Sequence, residues 1–228
     1  MKKNIIICLL LFTVVVFTIY TFSIEKVTSM LVELPKPEVT GGERGMLGID
    51  KNINEFNIDN YLGRSDSVYR DMRMLKDPGN YEAIGGDSYL SGFIKDFEIV
   101  PYPYLTEVKG LPEKVGDSYK GKTLFKMNGD GTFSANYQES MSILEYLFPK
   151  DKYIFLMCGG GGYAGKTKEL LVALGWNSDY IYNVGGYWNY EGTNKVLVKR
   201  EVNGKYIYDF WKVLYHDIDF KNLKEVKK

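Results

Sequence analysis

Cys158 opens the run Cys-Gly-Gly-Gly-Gly-Tyr-Ala-Gly-Lys-Thr, which ends at Thr167. The apolar stretch Tyr153-Ile-Phe-Leu-Met157 precedes it and Lys168-Glu-Leu-Leu-Val-Ala-Leu-Gly-Trp176 follows, so the order reads strand, glycine loop, helix. Such a loop aims several backbone N–H groups and a helix N-terminus at one point, where negative charge is favoured. A thiol at that focus is expected to be held as thiolate, the reactive form. Glycines suit the position because they tolerate positive φ and let the backbone approach a ligand closely. The same letters also satisfy a phosphate-binding pattern. Gly160, four residues, Gly165, Lys166 and Thr167 spell G-x-x-x-x-G-K-[ST], in which the backbone cradles phosphates, Lys166 reaches the terminal ones and Thr167 holds magnesium. Sulfur chemistry and nucleotide binding both remain open at this point.

Other elements must hold this loop in place. Val68–Met72 and Phe97–Val100 read as short strands, the second ended by Pro101 and Pro103. From Ala135 the pattern turns helical, with Tyr137, Met141, Leu144 and Phe148 at one-turn spacing, Ser134 as N-cap and Pro149 as the stop. Gly175 ends the helix after the loop, and Ile181–Val184 is a strand followed by Gly185-Gly186. Asn203-Gly204 between two β-rich runs, Val196–Val202 and Lys205–Trp211, predicts a hairpin. Lys109–Thr132 reads as a long polar loop. Its Asn128-Gly-Asp-Gly131 is a turn and not a calcium loop, because Lys126 and Tyr137 stand where carboxylate ligands belong. Alternating strands and helices predict an α/β fold: a parallel sheet flanked by helices, with a C-terminal β-hairpin added.

The 228 residues carry 29 Lys and Arg against 29 Asp and Glu, so net charge gives no footprint for nucleic acid. His216 stands alone, and neither a metal constellation nor a cofactor motif beyond the glycine loop is apparent. Ile5 to Phe22 contains no charged residue and follows Lys2 and Lys3. An 18-residue run of this kind suits a membrane anchor better than the shorter apolar region of a cleaved signal, and the lysines would stay cytoplasmic. The expected location is therefore a single-pass membrane protein with an extracytoplasmic domain, or a secreted protein if the segment is removed. Beyond Cys8 only Cys158 remains, so no intramolecular disulfide is available to the exported part. The chain divides into residues 1–22 as anchor or signal, 23–60 as linker, 61–195 as the domain and 196–228 as hairpin and tail.

Cys158-Gly-Gly-Gly-Gly-Tyr-Ala and the helix ending Leu-Gly-Trp176 resemble the active loop and following helix of the rhodanese superfamily, whose pattern is roughly C-x-x-G-x-R-S followed by a helix ending Leu-Gly-Tyr. Gly161 matches the internal glycine. Ile181-Tyr-Asn-Val-Gly-Gly186 and Tyr190-x-Gly192 are similar to the family's downstream pattern. Tyr69-Arg-Asp71-Met-Arg73 resembles its opening strand, and Gly92-Phe-Ile94 with Ile99-Val-Pro101 its next stretch; the resemblance covers about residues 65–195. It implies a rhodanese-like sheet and a sulfurtransferase in which Cys158 takes sulfane sulfur from a small donor, as a persulfide, and passes it to a thiol or cyanide. Gly159, Gly160, Gly161, Gly162, Tyr163 and Lys166 would bind substrate, and Asp71 and Arg73 would be structural partners. No metal or cofactor is implied. Tyr163 and Ala164 replace the family's Arg and Ser, which puts thiosulfate as donor in question. A catalytically weak module that binds a partner or senses redox state is the alternative. The phosphate-loop reading is disfavoured because no apolar strand ending in Asp follows to hold a metal: Tyr180-Ile-Tyr-Asn-Val184 runs into Gly-Gly.

Overall fold

The computed structural model describes residues 33–40, 48–108 and 119–227. The chain divides into two units, Met1–Pro35 and Lys36–Lys228. The Ile5–Phe22 run lies outside the described residues, among which no helix is long and apolar enough to cross a membrane.

In the second unit a short antiparallel pair comes first, β1 (Val39–Thr40) with β2 (Ile49–Asp50). β3 (Ser67–Asp71), β4 (Gly92–Ile94) and β5 (Glu98–Ile99) follow, then a one-turn helix α1 (Tyr102–Leu105). A hairpin of β6 (Phe125–Met127) and β7 (Phe133–Ala135) leads to helix α2 (Ser140–Leu147). The βαβ unit comprises β8 (Tyr153–Cys158), α3 (Gly162–Ala173) and β9 (Ile181–Gly186). β10 (Lys195–Leu197) returns to pair with β4, and β11 (Lys199–Val202) with β12 (Lys205–Tyr208) forms the C-terminal hairpin.

The central sheet has the order β5-β3-β8-β9, and its strands all run parallel. Tyr-Ile-Phe-Leu-Met-Cys in β8 is apolar throughout because this strand has a neighbour on each edge and packing on both faces. Alternate residues divide the faces. Ile154, Leu156 and Cys158 point with Leu144, Leu147, Leu170 and Leu171 into the larger core beneath α2 and α3. On the other face Tyr69, Phe155 and Tyr182 stack in register, with ring centroids 5.2 and 5.0 Å apart. The sequence reading of an α/β fold with a parallel sheet and a terminal hairpin stands in this coarse form. The hairpin turn is built as expected, with Asn203 and Gly204 both at positive φ (52° and 74°).

Four boundaries need correction. Residues 48–60, assigned to the linker, belong to the folded unit: Ile53 and Ile58 are fully buried, and β2 packs on β9. The C-terminal tail is not free either. Ile99 donates to Leu214 O and accepts from His216 N, so residues 214–216 cover the outer edge of β5. The helix predicted from Ala135 begins at Ser140, because Ala135 is taken by β7 and Ser140 Oγ bonds Leu124 O inside the core. Part of the predicted polar loop is the β6–β7 hairpin around the Asn128–Gly131 turn; residues 109–118 lie outside the described residues.

Candidate functional site

At the C-terminal edge of a parallel sheet the strands deliver their side chains to one crevice. β8 delivers Cys158, β3 delivers Asp71 and Arg73, and β9 delivers Gly185, Gly186, Tyr187 and Trp188. The sheet is irregular at this spot. The β8–β9 register shifts between Leu156 and Cys158, so Cys158 faces Gly186 across a bulge.

The loop is shorter than its letters suggest. α3 begins at Gly162, with Gly161 as the residue before it at φ +93°, so only Gly159–Gly161 separate strand from helix. That turn brings the backbone back onto the thiol: Gly161 N donates to Cys158 Sγ at 3.0 Å. The Gly160 and Ala164 N–H groups also favour the charged form of the sulfur. Sγ therefore sits at the N-terminus of a 12-residue helix, where orphan amide donors and the helix dipole converge. The contributing amides are those of Gly160, Gly161 and Ala164, two from within Gly159–Tyr163 and one just beyond it.

Other groups hold this turn. Asn183 Nδ2 donates to Gly161 O at 3.1 Å and to Gly48 O at 2.6 Å, while Asn183 Oδ1 accepts from Gly185 N at 3.1 Å. Gly186 is glycine because the loop leaves no room: a Cβ there would lie 2.2 Å from Gly159 O. The Trp188 indole covers the loop from outside. Cβ atoms added at Gly159 or Gly86 would each come within 2.3 Å of its ring, and Trp188 N donates to Gly159 O at 3.1 Å.

The thiolate expectation is not met in this closed arrangement. Cys158 is only 4% exposed and belongs to the apolar cluster beneath the helices. Burial pushes its thiol up; the Ala164, Gly160 and Gly161 amides pull the other way, and the Asp71 carboxylate adds to the rise. The loop supplies the anion-stabilising groups expected of it, but exclusion of water outweighs them here.

Of the remaining predicted residues, Tyr163 has its hydroxyl bonded elsewhere. Its hydroxyl donates to Asp77 Oδ2 at 2.9 Å and lies 2.6 Å from the Tyr81 hydroxyl, which also bonds that carboxylate at 3.1 Å. Lys166 lies partly exposed in the second turn of α3. Thr167 is buried, and its hydroxyl donates to Tyr163 O at 2.8 Å. The phosphate-loop reading of Gly160–Thr167 is disfavoured by this geometry, because Gly165, Lys166 and Thr167 lie inside α3 and Thr167 is buried. Asp71 and Arg73 form the expected structural pair. Asp71 is fully buried, accepts from Arg73 Nε at 2.9 Å and from Arg73 N at 3.1 Å, and Arg73 Nη2 also reaches Gly92 O at 2.7 Å. Arg73 in turn stacks on the Tyr187 ring at 4.5 Å.

Sequence reasoning missed Asp77, Tyr81 and Trp188. Asp77 was visible only as a turn residue before Pro-Gly, and Trp188 lies two positions before the Tyr190-x-Gly192 that drew attention. Tyr190 instead binds Asp59 through its hydroxyl. Among the described residues no group of three or more His, Cys, Asp or Glu is placed to hold a metal ion. Compared with protein-family profiles, curated proteins and solved structures, the chain gives no match in any of the three.

Proposed function

We propose that this chain is a rhodanese-like sulfurtransferase that carries sulfane sulfur as a persulfide on Cys158. The observation that supports it is the sulfur's position, at the end of β8 and the start of α3, with Gly161 N–H 3.0 Å away. In the first step the Cys158 thiolate attacks the outer sulfur of a donor R–S–SH. The donor's S–S bond breaks, R–S⁻ leaves, and Cys158 becomes Cys–S–SH. Loss of the proton gives Cys–S–S⁻, whose charge the amides of Gly160, Gly161 and Ala164 are placed to stabilise. Cyanide or a thiolate then attacks that outer sulfur, releasing thiocyanate or a new persulfide and restoring Cys–S⁻. For the donor to reach Sγ, the Trp188 cover must move.

A second reading, a catalytically weak rhodanese-like binding or redox-sensing module, is favoured by the burial of the thiol and by the Tyr163 hydroxyl being committed to Asp77. Turnover separates the two. With an organic persulfide R–S–SH as donor and cyanide as acceptor, the sulfurtransferase reading predicts repeated thiocyanate formation that Cys158→Ser abolishes. At most one thiocyanate per chain supports the second reading instead.

A further inference from the structure

The C-terminal hairpin and the residues flanking it expose large apolar side chains. Trp211 is 80% exposed and Leu197 63%, and Ile207 is also on the surface. In the β11–β12 register Arg200 stands opposite Ile207 and Val202 opposite Lys205, which places these four on one face. Asp209 lies on that face too, and its carboxylate pairs with Arg200 Nε at 3.0 Å and Lys212 Nζ at 3.2 Å. Lys212 Nζ also donates to Leu197 O at 3.0 Å and lies 5.5 Å from the centre of the Trp211 ring. Ile207 and Trp211 are thus set beside Arg200, Lys205 and Lys212, with Asp209 as the carboxylate shared by two of the three cations. Glu201 stands opposite Tyr206 on the other face. The segment from Lys195 to Lys212 carries five Lys and Arg against two Asp and Glu, in a chain whose net charge is zero.

Exposed Trp and aliphatic tips ringed by Lys and Arg match the chemistry of a membrane–water boundary, where apolar tips enter the acyl region and cations face anionic headgroups. The uncharged Ile5–Phe22 run in the same chain selects a bilayer over an acidic protein as the occupant. We propose that the hairpin face carrying Ile207, with Trp211 beside it, docks on an anionic lipid surface. This does not depend on sulfur chemistry at Cys158.

The chain has three tryptophans, and the other two, Trp176 and Trp188, are buried or partly buried. Fluorescence therefore reports on Trp211, and the N-terminal run contributes none of the signal. The full chain is mixed with vesicles of phosphatidylcholine alone, or of phosphatidylcholine and phosphatidylglycerol in equal parts, each with brominated acyl chains. Docking predicts a blue shift and quenching only with phosphatidylglycerol, lost at high salt and absent in Trp211→Phe. Lys205→Gln should weaken the quenching partition about fivefold, as expected for one surface cation. Far-ultraviolet dichroism checks that both variants remain folded. Equal quenching in the two vesicles would overturn the charge-based assignment. Unchanged Trp211 emission in both would overturn docking on lipid and leave a protein as the partner of this face.

Discussion

Gly186→Ala tests the close approach of β9 to the thiol loop. The new Cβ would lie 2.2 Å from Gly159 O, 2.7 Å from Gly160 Cα and 2.9 Å from Gly159 C. Each of these is a backbone atom of the loop, so no side chain can swing aside to relieve the overlap. The backbone at Gly186 has φ −128°, which any residue adopts, so the penalty is steric and not conformational. Relief requires β9 and the loop to part by about 1 Å, at an overpacking cost of roughly 2–3 kcal/mol. Loss of the Trp188 N–H to Gly159 O bond would add about 1 kcal/mol. Gly159→Ala is the control. The three atoms nearest its Cβ all belong to the Trp188 indole, from 2.3 Å, and a rotating ring should lower the cost to about 1 kcal/mol while uncovering the sulfur. Urea unfolding would measure stability, and the rate of Cys158 alkylation in a Cys8→Ser background would measure access. Gly186→Ala should be the less stable variant, and Gly159→Ala the faster to alkylate. A Gly186→Ala protein as stable as wild type would refute the packing argument.

Burial raises the Cys158 thiol above its ordinary range, so the folded state keeps its proton where the unfolded chain has lost one. Stability should therefore fall as pH rises from the unfolded thiol's pKa towards the folded one; Cys158→Ser should remove that slope in urea titrations, and Trp188→Ala should move the alkylation midpoint to lower pH. Arg73→Ala leaves the fully buried Asp71 carboxylate without its partner and should cost about 3–5 kcal/mol by urea unfolding. Tyr163→Phe removes one of two phenol donors to Asp77 and should cost about 1–2 kcal/mol. It should leave the acceptance of sulfur by Cys158 unchanged, as located by peptide mass spectrometry, because the hydroxyl is bonded to Asp77 and Tyr81.

Local chemistry made part of this molecule legible in advance. The all-apolar β8, Gly175 closing α3, Pro149 after α2 and Asn203-Gly204 in the hairpin each carry a short-range signal that tertiary packing did not override. The start of α3 was harder to place, because four glycines are compatible with either a loop or a first helical turn. Only the amide return onto Sγ decides between them. The inclusion of residues 48–60 in the folded unit rests on the burial of Ile53 and Ile58 and on β2 meeting β9, a long-range match with no periodic trace. The thiol's protonation was misjudged for a related reason: amides converging on the sulfur can be read from the loop, but the indole that shuts water out comes from the end of another strand.

Sulfur transfer through this chain requires Cys158 Sγ to be the atom that accepts the transferred sulfur. The full chain contains two cysteines, Cys8 and Cys158, so a gain in whole-protein mass alone would be ambiguous. After incubation with an organic persulfide R–S–SH, peptide mass spectrometry should locate one additional sulfur atom on the Cys158 peptide and none there in Cys158→Ser. An unmodified Cys158 peptide under conditions that persulfidate a free thiol, or a gain confined to Cys8, would contradict sulfur transfer through Cys158.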